Sequence, residues 1–326
     1  MAPFKDFKLT LEALNQEGTY SEGDNIIGTL SFNLKSDTKV KSISVKAKGD
    51  AMVEWKEEYG NSTTYYKGQR RYFKLKQDLV AKDTGATVLR QGPHNFKLSF
   101  QIPHWEMPSS FEAKYGKIVY MVEAKISRSW RWPSSLTKEI KFVSKSIPPI
   151  HLAMHPLSGS VVKTFSSGQL QMTASVNRGV CSPGDTLSAS ARICNTSSKS
   201  VRPKFSLHQK IVYRVKKYTK TSDKVIFKVV GDTITPRSEV TVPCEVKIPV
   251  DAACTLHNCE IISVEHYLKV YLDVSFAIDP EVVFPIFVVP SNLVHAHLSQ
   301  RDHIRRLLIH AAILQGLISL PQHTEE

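Results

Sequence analysis

With 326 residues, 41% of them hydrophobic, the chain has room for two domains of ordinary size and too much apolar material for wholesale disorder. Lys and Arg number 43 against 30 Asp and Glu, a net charge of +13. That excess either solubilises the surface or favours anionic partners such as phospholipid headgroups, acidic or phosphorylated peptides, or nucleic acid.

The start, "MAPFKDFKLTLEAL", is interrupted by charges and makes no secretory h-region, and Met-Ala is not a myristoylation start. A cytosolic chain is expected. Its five cysteines, Cys181, Cys194, Cys244, Cys254 and Cys259, all in the second half, are then expected to be reduced. "FKLTLEAL" reads as a strand, "EGD" as a turn, and "IIGTLSFNL", "SISVKAKG" and "NFKLSFQIP" as further strands. "KEEYGNSTTYYKGQ" reads as loop-rich. In "KIVYMVEAKI" the residues Ile118, Tyr120, Val122, Ala124 and Ile126 share one face and Glu123 and Lys125 the other.

The second half repeats the first. Shifted by 161, "GTYSEGDNIIGTLSF" lands on "GVCSPGDTLSASARI", with Gly18 on Gly179, Gly23 on Gly184 and Asp24 on Asp185. Shifted by 146, Ile118 meets Val264, Tyr120 meets His266, Val122 meets Leu268 and Ile126 meets Leu272. The fifteen residues by which the offset falls, from 161 to 146, are expected in the loop-rich stretch. Two copies of an antiparallel β-sandwich follow, residues 1–148 and 164–290, joined by a linker over 149–163 where Pro, Ser and Gly collect. In the tail, 291–326, the run Ser299–Leu320 has good helix formers, and Ile304, Leu307, Leu308, Ala311, Leu314 and Ile318 can share a face. His310, Gln315 and Gly316 argue against a membrane span there.

Two basic clusters stand out. Arg70, Arg71, Lys74 and Lys76 lie in "QRRYFKLKQDL", where alternation puts Lys74, Lys76 and Tyr72 on one side. Lys210, Arg214, Lys216, Lys217 and Lys220 lie in "QKIVYRVKKYTK". Either is a solvated strand face or a receiver for phosphate or carboxylate. Tyr72, Tyr213 and Tyr218 could stack bases, though no nucleic acid is expected as a partner. Cys254, His257 and Cys259 form C-x2-H-x-C with His266 nearby, but the spacing is no known finger, and no metal or cofactor is expected. There is no G-x-S-x-G and no phosphate-cradling glycine loop, so no catalytic residues are proposed and no enzyme is expected.

The blocks "YSEGDNIIGTLSF", "SFEAKYGKIVYMVEAKI", "GVCSPGDTL", "CEIISVEHYLKVYLDV" and "FPIFVVP", in this order and spacing, resemble the α-arrestins, the arrestin domain-containing proteins. The likeness covers about residues 5–290. It implies an all-β fold, two tandem immunoglobulin-like β-sandwiches of arrestin type, to which the tail sequence adds an expected short C-terminal helix. It also implies a non-catalytic adaptor in endocytosis and endosomal sorting, at the plasma membrane and endosomes. The implied partners are cytosolic tails of receptors or transporters, ubiquitin ligases, an anionic membrane surface and other α-arrestins. Many relatives carry PPxY motifs that dock WW domains of ubiquitin ligases; none occurs in these residues, so such a ligase is expected only indirectly. Cys259 stands where one relative exchanges a disulfide with thioredoxin, which gives an alternative, redox-linked reading; the plainer one is a packed, reduced thiol.

Overall fold

The computed structural model describes residues 4–80 and 87–291, and the expected helix over 299–320 lies outside them. The strands run Phe4–Leu11 (β1), Thr19–Tyr20 (β2), Asn25–Leu34 (β3), Thr38–Val40 (β4), Ser42–Tyr59 (β5), Ser62–Val80 (β6), Thr87–Leu89 (β7), Gly92–Gln101 (β8), Phe111–Ala113 (β9), Gly116–Arg128 (β10) and Arg131–Phe142 (β11). They continue with Leu157–Phe165 (β12), Gly168–Val176 (β13), Val180–Cys181 (β14), Thr186–Asn195 (β15), Val201–Val215 (β16), Tyr218–Val230 (β17), Ser238–Lys247 (β18), Ile262–Val274 (β19) and Glu281–Val288 (β20).

The protein is all-β, a pair of sandwiches. The first half forms sheets ordered β1-β3-β8 and β2-β11-β10-β5-β6; the second repeats them as β13-β15-β18, with β12 added at the edge, and β14-β20-β19-β16-β17. The duplication is legible to the residue. Shifted by 161, β3 becomes β15; shifted by 146, β8 becomes β18 and β10 becomes β19, each with identical bounds. The turn chemistry repeats as well. Asp24 accepts the Ser21 amide at 2.7 Å and Asp185 the Ser182 amide at 3.0 Å, while Gly23 and Gly184 supply φ of 83° and 89°.

Alternation fixes the faces. Ile118, Tyr120, Val122, Ala124 and Ile126 are all buried, and so are Val264, His266, Leu268, Val270 and Leu272 in the second copy. Each such aliphatic side chain contributes roughly 1.5–3 kcal/mol by leaving water. Most of the extra residues of the first copy are strand rather than loop. β5 and β6 run 18 and 19 residues against 15 and 13 for β16 and β17, so much of the excess is paired strand. Branched and aromatic residues in "STTYYKGQRRYF" favour extension, and Gly60, at φ 58°, confines the turn between them.

Two compact units result. Among the described residues, one comprises those up to 146 with 210–223 and 256–264; the other comprises 147–209, 224–255 and 265–291.

Candidate functional site

The first basic cluster divides once its partners are known. β6 pairs with β5 so that Lys74 faces Lys48 and Lys76 faces Lys46. Val45, Ala47 and Phe73 are buried on the opposite face, which holds all four lysines on the outer surface of the sheet. On the neighbouring strand Glu123 faces Lys46, and its carboxylate accepts from Lys48 Nζ at 3.2 Å. Lys76 pairs with Asp78 at 2.7 Å. Lys46 and Lys74 have no carboxylate partner among the described residues. Like charges set directly across strands cost stability, so this ladder is a feature that burial and pairing do not account for. Lys46 and Lys48 were not candidates from the sequence. Their signal was the alternation in "SVKAKG", apolar inward and lysine outward.

Arg71 belongs elsewhere. Its guanidinium forks onto Asp50, Nε to Oδ1 at 2.8 Å and Nη2 to Oδ2 at 3.3 Å, and Gln69 Nε2 adds a bond to Oδ1 at 3.1 Å. Asp50 is 4% exposed, so the arginine neutralises a carboxylate inside the fold; that bond raises the Arg71 pKa. Arg70 pairs with Glu260 at 3.3 Å. The alternation that would align Tyr72 with Lys74 fails because the register shifts between Gly49 and Asp50, leaving Tyr72 unpaired as a bulge. Its hydroxyl is buried beside the Cys259 thiol and finds no hydrogen-bond partner of good geometry; burial first, then that thiol, pushes its pKa up. Cys259 itself is 5% exposed and precedes β19 in a loop rather than beginning the strand.

The second cluster is brought together only in part. Lys210 is half-buried and is not free, and Arg214 Nη2 donates to Ser263 Oγ at 3.0 Å. Lys216 sits at a left-handed turn, φ 54°, and Lys217 lies over the Tyr218 ring at 5.5 Å. Lys220 pairs with Glu57 at 3.1 Å. Tyr218 packs on Tyr66 at 5.0 Å, so this end of the first unit is aromatic as much as basic. Beside it a groove of about 550 Å³ is lined by Met52, Val53, Gly68, Tyr115 and Gly116. Among the described residues no three His, Cys, Asp or Glu side chains gather as a metal site would need.

Sheet order, repeat and basic face together define a duplicated β-sandwich whose chemistry is displayed on surfaces. Residues 7–147 match the family model "Arrestin (or S-antigen), N-terminal domain" and residues 166–293 match its C-terminal counterpart. Arrestin domain-containing protein 4 of Mus musculus is 28% identical over 273 residues, 79% of this chain and 65% of that protein. The Homo sapiens protein of that name is 26% identical over 298 residues, 85% of this chain and 70% of its own. Thioredoxin-interacting protein of Homo sapiens is 26% identical over 293 residues, 84% and 72% of the two chains. The chain therefore spans just under two thirds of the mouse relative's length. It belongs to the arrestin family, in the α-arrestin branch. Domains of this family are typically non-catalytic, and membership supports an adaptor-like role.

Proposed function

We propose that the protein is a non-catalytic adaptor or scaffold in the trafficking of membrane proteins, working peripherally at the plasma membrane and endosomes. It would hold cytosolic tails of receptors or transporters and link them to ubiquitination machinery. With no PPxY in the sequence, a WW-domain ligase would be reached indirectly, through a second α-arrestin for example.

The observation that carries this reading is the lysine ladder of β5 and β6. β6 is the edge strand of its sheet, so an extended segment can add beside it through main-chain hydrogen bonds. Acidic or phosphorylated side chains on that segment would accept from Lys74 and Lys76, relieving the repulsion between facing lysines. Fluorescence anisotropy with an acidic, phosphorylated tail peptide tests it. Lys74→Glu with Lys76→Glu should weaken binding about tenfold, and added salt should weaken wild-type binding as well. Binding indifferent to both would end the proposal.

The alternative, thioredoxin held through Cys259, draws on the name of one relative and the position of the thiol. Its obstacle is geometric: a mixed disulfide needs a thiolate its partner can reach, and this sulfur is buried beside Tyr72. A resolving-cysteine mutant of thioredoxin that traps the wild type and not Cys259→Ser would favour it over the adaptor reading.

A further inference from the structure

The turn between β10 and β11 carries two of the most exposed large side chains in the protein. Arg128 faces Arg131 across the hairpin, leaving Ser129 and Trp130 as the tip. Trp130 is 102% exposed and Trp132 is 89% exposed. Trp130 has φ 57°, a left-handed conformation that turns usually give to glycine or asparagine and that a bulky residue adopts at a cost. Folding thus gains nothing evident from either ring: neither is buried, and one is held in a strained backbone.

The surroundings are cationic. Arg131 is exposed and has no acidic partner among the described residues. The Arg128 guanidinium lies 5.1 Å from the Phe4 ring, and its Nε finds no hydrogen-bond partner. The Lys41 amide donates to the Ser127 carbonyl at 2.8 Å, which sets a third cation, this one exposed, at the base of the hairpin. The equivalent tip of the second copy supplies a control. Phe276, 146 residues on, repeats the conformation at φ 58° and is 105% exposed, with Ile278 at 81% in the place of Trp132. In the places of Arg128 and Arg131, 146 residues on, stand Val274 and Ala277, with Asp273 and Asp279 close by in sequence. The exposed apolar tip is common to both copies; the facing arginines belong to the first alone, whereas the cations at the second tip are engaged, Lys199 Nζ donating to the Ser275 carbonyl at 2.9 Å and Lys204 pairing with Asp273.

We propose that this hairpin tip is a membrane anchor. Trp130 and Trp132 enter the boundary between headgroups and acyl chains of an anionic bilayer, where an aromatic ring with one polar edge is at its most stable. Arg128, Arg131 and Lys41 meet lipid phosphates and serine carboxylates, and the guanidinium groups do so by paired hydrogen bonds. Two rings bind weakly and reversibly by themselves, so the anionic charge decides whether the tip engages. The anchor uses neither the lysine ladder nor any cargo and stands whether or not the adaptor reading does.

Cosedimentation of the full chain with phosphatidylserine-containing vesicles, against pure phosphatidylcholine, tests the proposal. The second readout is quenching of tryptophan fluorescence by bromine-labelled acyl chains. The wild type should prefer the anionic vesicles and be quenched. Trp130→Ser with Trp132→Ser should partition about tenfold less and lose the quenching. Since both side chains are exposed, that variant keeps its fold, which near-ultraviolet dichroism checks through buried Trp55. Lys74→Glu with Lys76→Glu should leave the quenching intact. A wild type that is not quenched, or a double-serine variant that partitions like the wild type, overturns the anchor.

Discussion

Tyr120 and His266 fill the same place in the two copies, 146 residues apart, and each buries a ring with a polar edge. The tyrosine is satisfied, its hydroxyl donating to the Pro108 carbonyl at 2.6 Å. The histidine fares worse. Its Nδ1 lies 3.4 Å from Thr255 Oγ1, and its Nε2 finds no partner. Burial pushes its pKa down from 6.5 to about 4. The consequence for stability has a definite sign. Above 6.5 neither state binds the proton; as pH falls toward 4 the unfolded chain takes it and the folded one does not, so stability drops and then levels. The ceiling of that loss is about 3 kcal/mol. Urea unfolding at about pH 7 and about pH 5 should therefore show a loss that shrinks by about 2 kcal/mol in His266→Leu; an unchanged difference would mean the ring is hydrated. A second residue-scale test concerns Asp50. Arg71→Ala leaves this buried carboxylate with Gln69 alone and should cost about 2 kcal/mol. Arg71→Lys should restore only part of it, because a single ammonium cannot fork onto both oxygens. Equal stability of all three proteins in urea would show that water already serves Asp50.

At the level of elements, the sequence was most informative where structure is local. Alternation in "KIVYMVEAKI" gave the buried face of β10, and "EGD" gave a turn whose aspartate accepts a nearby amide, as the aspartate of "PGD" does in the second copy. Information failed where a partner lay far along the chain. Nothing near Arg71 reveals that Asp50, twenty-one residues earlier, claims it, and nothing near Lys74 reveals Lys48 opposite. A bulge is equally invisible: one extra residue at Tyr72 moves that ring away from the lysines. "YGNS" read as part of an insertion loop because glycine and asparagine mark a turn, yet the turn is tight and strands extend on either side. The lysine ladder yields a test in which stability and binding move oppositely. Lys74→Glu converts a like pair with Lys48 into an opposite one and should stabilise the fold by about 0.5 kcal/mol. The same substitution should weaken the acidic peptide. A variant that loses both stability and binding would instead mean that Lys74 packs as part of the sheet.

For the whole molecule, duplication explains the fold, but the units do not follow the chain's halves. Composition marks a loose linker near 149–163, whereas the first unit also contains 210–223 and 256–264. These later segments contribute to its interior. Tyr213 is fully buried, and its ring meets Tyr115 edge-on at 5.6 Å. Asn258 Nδ2 donates to the Met107 carbonyl at 3.1 Å, and Lys220 and Glu260 make ion pairs with Glu57 and Arg70. A fragment of residues 1–146 keeps every strand from β1 to β11 and loses all of these contacts. Tyr115 and Tyr66 would lose packed rings, and losing even one buried tyrosine costs more than most surface ion pairs. Calorimetry should therefore find the fragment melting about 5–10 °C below the corresponding transition of the full chain. The deficit should fall most heavily on the end of the unit where β5 turns into β6, which hydrogen exchange would locate as faster exchange in 52–68 than in 116–126. A fragment as stable as the full chain, with uniform protection, would show that the first fourteen tens of residues carry their own core and that the later segments only rest upon it.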